Sequence, residues 1–107
     1  MAKIFNNENF SQEVIEASKT KPVLVDFFAT WCGPCKMQGP IVDQLAEEIG
    51  DTAIIGKANI EEADKIADEY SVMSVPTIMI FKDGKQVETF SGLQSKDSLI
   101  AEIKKYL

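Results

Sequence analysis

The sequence predicts an α/β fold in which a mixed five-stranded sheet is flanked by four helices. Strand and helix patterns alternate along most of the chain, which is typical of parallel strands joined by helices. The largely apolar and β-branched run over residues 23–29 is typical of a strand covered on both faces. The Asp83-Gly84 pair between two later strand patterns favours a tight hairpin, since both residues tolerate positive φ angles. This hairpin adds an antiparallel pair, so the predicted sheet is mixed.

The first half of the chain predicts a short strand, a helix and the buried strand. Residues 2–5 have a strand pattern, and the asparagines that follow offer caps for a helix over residues 9–18. The predicted inner face of that helix consists of residues at helical spacing: Phe10, Val14, Ala17 and Ser18. Because the strand over residues 23–29 is expected to be buried on both faces, helices should cover both sides of the sheet.

A second helix is predicted to begin in the segment that holds the two cysteines and is expected to end at Gly50. Pro34 fits its first turn, where a missing backbone N–H costs nothing. Apolar residues recur at every fourth position and predict the buried stripe of this helix: Met37, Ile41, Leu45 and Ile49.

The second half predicts three more strands and two more helices. A strand is expected within residues 52–60, and acidic residues after it favour the start of a helix. Residues 77–81 and 86–91 are the predicted hairpin strands, and Ser95 is the expected N-cap of the last helix. The predicted inner faces are Ala63, Ile66, Ala67 and Tyr70 in the first of these helices, and Leu99, Ile103 and Leu107 in the second.

Composition favours one domain and excludes several function classes. With 107 residues, the chain is long enough for one good hydrophobic core, so residues 1–107 are expected to form a single domain. The formal net charge of -6, from 17 acidic and 11 basic side chains, argues against nucleic acid and anionic membranes as partners. The absence of histidine excludes Cys-His hydrolase chemistry. Since no signal-peptide or membrane-span pattern is present, we expect a cytoplasmic protein. We also expect it to be a monomer.

Both cysteines lie in the segment Trp-Cys-Gly-Pro-Cys-Lys at residues 31–36. A disulfide that closes so small a ring would stabilise the fold by only about 1.9 kcal/mol, against roughly 4.7 kcal/mol for a 100-residue loop. Two thiols this close are better suited to open and close, as dithiol-disulfide exchange requires. In the cytosol, such a pair is more often catalytic or metal-binding than a structural bridge.

Cys32 is the expected nucleophile of this pair. It lies at the predicted start of a helix, where unpaired backbone N–H groups and the positive end of the helix dipole stabilise a thiolate and depress its pKa. Cys35 lies one turn further along, where we expect it to be better shielded from solvent. Cys35 is then placed to attack the mixed disulfide formed at Cys32 and to release the reduced product.

Asp26 is the only charged residue in the predicted buried strand. Alternation along the strand places it between Leu24 and Phe28 on one face. A buried carboxyl group without a full set of partners has a raised pKa, because burial disfavours its charged form. Such a group can exchange a proton near neutral pH. The alternative is an aspartate near the strand end that reaches water or caps a turn, and the sequence leaves both interpretations open.

These motifs together resemble those of the thioredoxin family. The resemblance rests on motifs in matching order and spacing along nearly the whole chain: Val25-Asp26-Phe27, Trp31-Cys32-Gly33-Pro34-Cys35-Lys36, Pro40, Val75-Pro76-Thr77, Phe81-Lys82-Asp83-Gly84 and Gly92. It implies a single thioredoxin-fold domain and a general protein-disulfide reductase, with no bound cofactor besides the Cys32 to Cys35 disulfide. It also implies two kinds of partner: diverse disulfide-containing proteins, and a thioredoxin reductase, linked to NADPH or to ferredoxin, that recharges the dithiol.

The resemblance assigns roles to residues outside the cysteine pair. Asp26 matches a buried carboxylate implicated in proton transfer with Cys35, and Lys57 matches a lysine that modulates its charge, although Lys57 could instead be a solvent-facing strand residue. Pro76 matches a cis-proline packed against the disulfide, and Val75 a residue whose backbone is offered to an extended substrate. A shallow apolar docking surface around Cys32 is implied for Trp31, Gly33, Pro34, Val75, Pro76, Gly92 and Leu93.

Phe28, Gly39 and the segment over residues 59–61 depart from the family pattern. Phe28 stands where tryptophan is common, which removes an indole N–H near the active-site loop and bears on the redox potential. Gly39 stands where alanine is common.

Three other functions stay open on the sequence: a disulfide oxidant or isomerase, a binding module in which the sulfurs are incidental, and a metal site shared by two chains that each supply two thiolates. The Gly-Pro pair between the cysteines resembles the reducing members of the family.

Overall fold

A computed structural model describes residues 2–107 and contains the predicted mixed sheet of five strands. The strands are β1 (Lys3–Phe5), β2 (Val23–Phe28), β3 (Ile54–Asn59), β4 (Thr77–Lys82) and β5 (Lys85–Ser91). Their order in the sheet is β1-β3-β2-β4-β5, so β2 lies at the centre. It pairs with β3 in parallel and with β4 antiparallel.

Both faces of the sheet are covered, as the apolar run in β2 predicts. Alternate residues of β2 point to opposite sides, so Val25 and Phe27 join one core cluster and Leu24 joins the other. The first cluster includes Phe10 and Val14 from the N-terminal helical segment. The second cluster packs beneath the helices α1 (Gly33–Ile49) and α3 (Lys96–Lys104). Asp26 lies two residues after Leu24, on the same face of the sheet, and therefore faces α1.

The four predicted helical segments are present, but the first is not a regular α-helix. Residues Ser11–Glu16 form a π-helix that continues into a 3₁₀ turn at Ala17–Lys19. Ser18 is bonded to the β4–β5 turn, since its carbonyl oxygen accepts from the Asp83 N–H and its Oγ accepts from the Gly84 N–H, both at 2.8 Å. These tertiary bonds compete with the regular hydrogen bonds of an α-helix at the end of the segment. The prediction of an α-helix over residues 9–18 is therefore wrong in the type of helix.

The turn and cap signals at Asp83-Gly84, Gly50 and Ser95 are confirmed. Asp83 and Gly84 have φ angles of 56° and 80°, as a type I′ hairpin turn requires. Gly50 ends α1 with a φ of 61°. Ser95 caps α3, since its side chain accepts the Ser98 N–H at 3.1 Å. The remaining helix, α2 (Asp64–Glu69), follows β3 at the predicted place.

The predicted buried faces of α1 and α3 need correction. Met37 is 62% exposed, and the residues that α1 buries are Cys35, Gln38, Val42 and Leu45. A helix has 3.6 residues per turn, so residues spaced strictly four apart move gradually around its surface. The predicted stripe that begins at Met37 therefore does not coincide with the face that α1 buries. Leu107 is 60% exposed because α3 ends at Lys104, before the chain could return it to the core.

Candidate active site

The two cysteines occupy the first turn of α1, directly beyond the central strand β2. Cys32 is the N-cap of α1, and a disulfide joins it to Cys35 with the two Cα atoms 5.3 Å apart. The backbone N–H of Cys35 donates to Cys32 Sγ at 3.1 Å. A backbone donor aimed at this sulfur, at the positive end of a helix, stabilises a thiolate there when the disulfide is reduced.

The two sulfur atoms differ in their surroundings rather than in their exposure. Cys32 is 4% exposed and Cys35 is 6% exposed, so the expectation that Cys35 is better shielded is wrong. The reason is that the loop over residues 71–76, the Val75 loop, covers Cys32. The Cys32 Sγ lies 3.6 Å from the carbonyl oxygen of Val75. Cys35 instead lines a cavity that also contains Asp26. Cys32 therefore lies against the Val75 loop, and Cys35 shares a cavity with the buried carboxyl group of Asp26.

The Val75 loop and the segment after β5 are bonded together beside the disulfide. The Val75-Pro76 peptide bond is cis, as the family resemblance implies. The carbonyl oxygen of Pro76 accepts the Gly92 N–H at 2.9 Å, and Gly92 has a φ of 85° that favours glycine. Thr77 Oγ1 donates to the Ser74 carbonyl at 2.6 Å and closes the loop. The structure thus brings Val75, Pro76 and Gly92 together at one side of Cys32.

Exposed apolar side chains surround this region. Trp31 is 68% exposed and Leu93 45% exposed, while Gly33 and Pro34 lie at the exposed start of α1. Trp31 and Val75 line a groove of about 280 Å³. Sequence reasoning missed four other residues that line this groove: Ile60, Val72, Met73 and Ser74. Met73 is 92% exposed, and an apolar residue in the short loop between α2 and β4 was the available signal for it.

Asp26 faces a cavity of about 380 Å³ beneath the cysteines. Its side chain is buried, and neither carboxylate oxygen has a hydrogen-bond partner within residues 2–107. Burial is the main cause that raises the Asp26 pKa from 3.8 to about 7, while the charge of Lys57 lowers it and that of Asp43 raises it. The interpretation of Asp26 as a buried carboxyl group with a raised pKa is confirmed, and that of a strand-end residue that reaches water is wrong.

Lys57 lies on β3 in register with Asp26 on β2, and it lines the same cavity. Its Nζ donates to Asp43 Oδ2 at 3.0 Å, and the other oxygen of Asp43 accepts the Ala2 N–H at 3.3 Å. Lys57 is therefore a half-buried residue held by Asp43, and it acts on Asp26 through space. Asp43 was missed by sequence reasoning. The face of α1 that carries Lys36, Gly39 and Asp43 at helical spacing was the available signal.

Residues 2–107 offer no grouping of three or more histidine, cysteine, aspartate or glutamate side chains suited to a metal ion. Within the same residues, none of the helices combines the length and apolar character needed to cross a bilayer.

Comparison with known proteins agrees with this geometry. The family model described as Thioredoxin matches residues 1–105. The chain belongs to the thioredoxin family. It is 47% identical over 105 residues to the thioredoxin of Rickettsia felis, an alignment that covers 98% of each chain. It is 43% identical over 107 residues to thioredoxin 1 of Synechococcus elongatus, covering 100% of this chain and 98% of the relative.

A third relative, the thioredoxin of Chlamydia trachomatis, is 44% identical over 106 residues, covering 99% of each chain. As a member of the thioredoxin family, the chain is a thiol-disulfide oxidoreductase with protein-disulfide reductase activity, and the Cys32 to Cys35 disulfide is its redox pair. The family and the fold expected from the sequence motifs are both confirmed.

Proposed function

We propose that residues 1–107 act as a single domain in which Cys32 is the attacking thiolate and Cys35 is the resolving thiol. The observation that carries this assignment is the Cys35 N–H aimed at Cys32 Sγ at 3.1 Å, since a donor fixed by the helix backbone favours negative charge on that sulfur. Cys35 lines the same cavity as Asp26, and this position supports the role of Cys35 as the second thiol.

The reaction proceeds in two exchange steps. The Cys32 thiolate attacks one sulfur of a substrate disulfide, the substrate S–S bond breaks, and the first substrate thiolate leaves. Cys35 then loses its proton and attacks Cys32 Sγ, which breaks the mixed disulfide and releases the second substrate thiolate. Two electrons pass from the dithiol to the substrate, and the Cys32 to Cys35 disulfide forms. Beyond this disulfide, the proposed reaction uses no bound cofactor.

Asp26 is proposed to accept the Cys35 proton. A carboxyl group whose pKa lies near 7 can take a proton at neutral pH, and Asp26 shares a cavity with Cys35. Lys57 is proposed to set the charge state of Asp26, because its ammonium group lowers the Asp26 pKa from within the same cavity. Both groups act on the second exchange step in this proposal.

The docking surface is proposed to consist of the apolar and backbone groups around Cys32. Its predicted members are Trp31, Gly33, Pro34, Val75, Pro76, Gly92 and Leu93, and the groove adds Ile60 and Met73. The partners are proposed to be diverse disulfide-containing proteins and a thioredoxin reductase, which reverses the exchange steps to restore the dithiol. The compartment is proposed to be the cytoplasm, where the chain acts as a monomer and binds neither nucleic acid nor membranes.

The reduction of insulin under limiting dithiothreitol tests the assignment of Cys32. The wild-type protein should accelerate insulin reduction, whereas Cys32→Ser should fall to the rate of dithiothreitol alone, because no thiolate remains to attack the substrate. Urea unfolding of the variant serves as the control for an intact fold. A folded Cys32→Ser variant that keeps the wild-type turnover would remove Cys32 from the mechanism.

A further inference from the structure

Gln38 is a fully buried polar residue that the proposed reaction does not use. It is 0% exposed and lies on α1 one turn after Cys35, on the same inner stripe as Val42. An amide buried among apolar side chains costs free energy unless both of its ends find hydrogen-bond partners. The partners of Gln38 therefore indicate why a glutamine is tolerated in the core.

Both ends of the Gln38 amide bind the backbone of one residue, Gln94. Gln38 Nε2 donates to the Gln94 carbonyl oxygen at 3.1 Å, and Gln38 Oε1 accepts the Gln94 N–H at 2.8 Å. The amide orientation follows from this pairing, because the flipped amide would place donor against donor and acceptor against acceptor. Two bonds to a single backbone unit fix its orientation as well as its position. The pair joins residues 56 positions apart in the chain.

Gln94 belongs to the short segment after β5 that also holds Gly92 and Leu93. At its start, the Gly92 N–H donates to the Pro76 carbonyl at 2.9 Å, next to Val75 and Cys32. At its end, the Gln38 amide holds Gln94 against α1. Among residues 2–107, the Gln94 side chain bonds only to carbonyl oxygens of Ser91 and Gly92, so it does not attach the segment to α1. The contacts form a ring that runs from the disulfide through both loops and back to α1 through Gln38.

We propose that Gln38 is a positioning residue for substrate docking: its amide holds the segment over residues 92–94 against α1, so that Gly92 and Leu93 meet a protein substrate in one fixed arrangement. The inference rests on the proposed function, which assigns Gly92 and Leu93 to the docking surface. A segment ordered before binding does not lose that conformational freedom when the substrate binds. Loss of Gln38 should therefore weaken binding of protein substrates and leave the exchange chemistry unchanged.

Gln38→Met tests this proposal, because methionine has a similar length and fills the core while losing both bonds. The reduced protein is mixed with increasing insulin, and the single-turnover rate is fitted to a half-saturating concentration and a limiting rate. We expect the half-saturating concentration to rise roughly 5- to 20-fold, as for the loss of two hydrogen bonds, with a limiting rate within about 2-fold of wild type. Reduction of hydroxyethyl disulfide, which is too small to need the 92–94 segment, should be unchanged.

Ser18→Ala is the matched control. Ser18 is equally buried, and its hydroxyl also binds two backbone groups, donating to the Ile15 carbonyl and accepting the Gly84 N–H. It holds the β4–β5 turn rather than the docking surface, so its loss should lower stability in urea without changing the half-saturating insulin concentration. An equal shift in both variants, or no shift in Gln38→Met, would overturn the proposal.

Gln38→Leu decides the case if the methionine variant does not fold. Leucine also fills the core with an apolar side chain and loses both bonds to Gln94. We expect the same rise of roughly 5- to 20-fold in the half-saturating insulin concentration, and an unchanged value would contradict the proposal. Amide exchange gives a readout independent of activity: the Gln94 N–H should be protected in the wild-type protein, and an unprotected amide would also contradict it. A wild-type protein that fails to reduce insulin would instead overturn the proposed function.

Discussion

Asp26 is a carboxyl group in the middle of a buried strand, with neither oxygen hydrogen-bonded within residues 2–107. Such a group is costly when ionised, because burial removes the water that stabilises its charge. The same burial raises its pKa to about 7, which suits the proton transfer that we propose for Asp26 in the second exchange step. At the scale of a single residue, stability and proposed function therefore oppose each other.

The stability cost of Asp26 depends on pH. Because the folded-state pKa of about 7 exceeds the ordinary value of 3.8, the folded state binds the proton more tightly than the unfolded state. This contribution to stability is fully present below the unfolded pKa and is lost as pH rises through about 7. At about pH 8, the loss is on the order of 4 kcal/mol.

Asp26→Asn should remove this dependence, because an amide of the same shape cannot ionise. In urea unfolding of the oxidised proteins, we expect the variant to exceed wild type by up to about 4 kcal/mol at about pH 8 and to differ far less near pH 4. Equal stabilisation at both pH values would show that the gain does not come from ionisation of Asp26.

The helix α1 combines three tasks on three parts of its surface. Its first turn carries the disulfide, its inner stripe holds Gln38 over the core, and a third face lines the cavity with Gly39 and Asp43. The sequence pattern predicts the helix and both of its ends. It does not predict the faces correctly, because Gln38 is polar and Met37 is apolar, and each lies where residue type alone would not place it.

Gly39 offers a test at the level of this helix. An ideal Cβ there would lie 3.5 Å from Lys57 Nζ, an ordinary contact, so alanine fits. We expect Gly39→Ala to raise the free energy of unfolding by about 0.5–1 kcal/mol, because alanine loses less backbone entropy in a helix interior. Urea unfolding measures the change.

Gly50→Ala is the paired control for Gly39→Ala. Gly50 has a positive φ of 61°, which strains any L side chain although the surrounding space is open. This variant should lose about 1–2 kcal/mol. Stabilisation by both substitutions would contradict the account of where α1 needs glycine.

The whole molecule assembles the site from segments that are far apart in sequence. Strand order places β2 at the centre, and the end of β2 meets the start of α1, the loop before β4 and the segment after β5. The sequence predicts most of these parts, because apolar runs, turn residues and the CxxC motif are local signals. The raised pKa of Asp26 follows from its place within one buried strand.

The contacts between those segments could not be predicted from local patterns. Lys57 bonds Asp43 and Gln38 bonds Gln94 only because the sheet and α1 bring them together. The irregular N-terminal helix is a similar case, because the hydrogen bonds that Ser18 accepts from the hairpin turn compete with the hydrogen bonds of a regular helix. In each case, tertiary packing decides among side-chain arrangements that the local sequence permits equally.

Trapping of the mixed disulfide tests the central claim, that Cys32 attacks and Cys35 resolves, most directly. Reduced Cys35→Ser and reduced Cys32→Ser are each mixed with insulin, and covalent adducts are resolved without reductant and located by peptide mass. We expect Cys35→Ser to accumulate an adduct through Cys32 that excess dithiothreitol reduces. We expect Cys32→Ser to accumulate little adduct. An adduct that forms through Cys35 in Cys32→Ser as rapidly as through Cys32 in Cys35→Ser would contradict the claim.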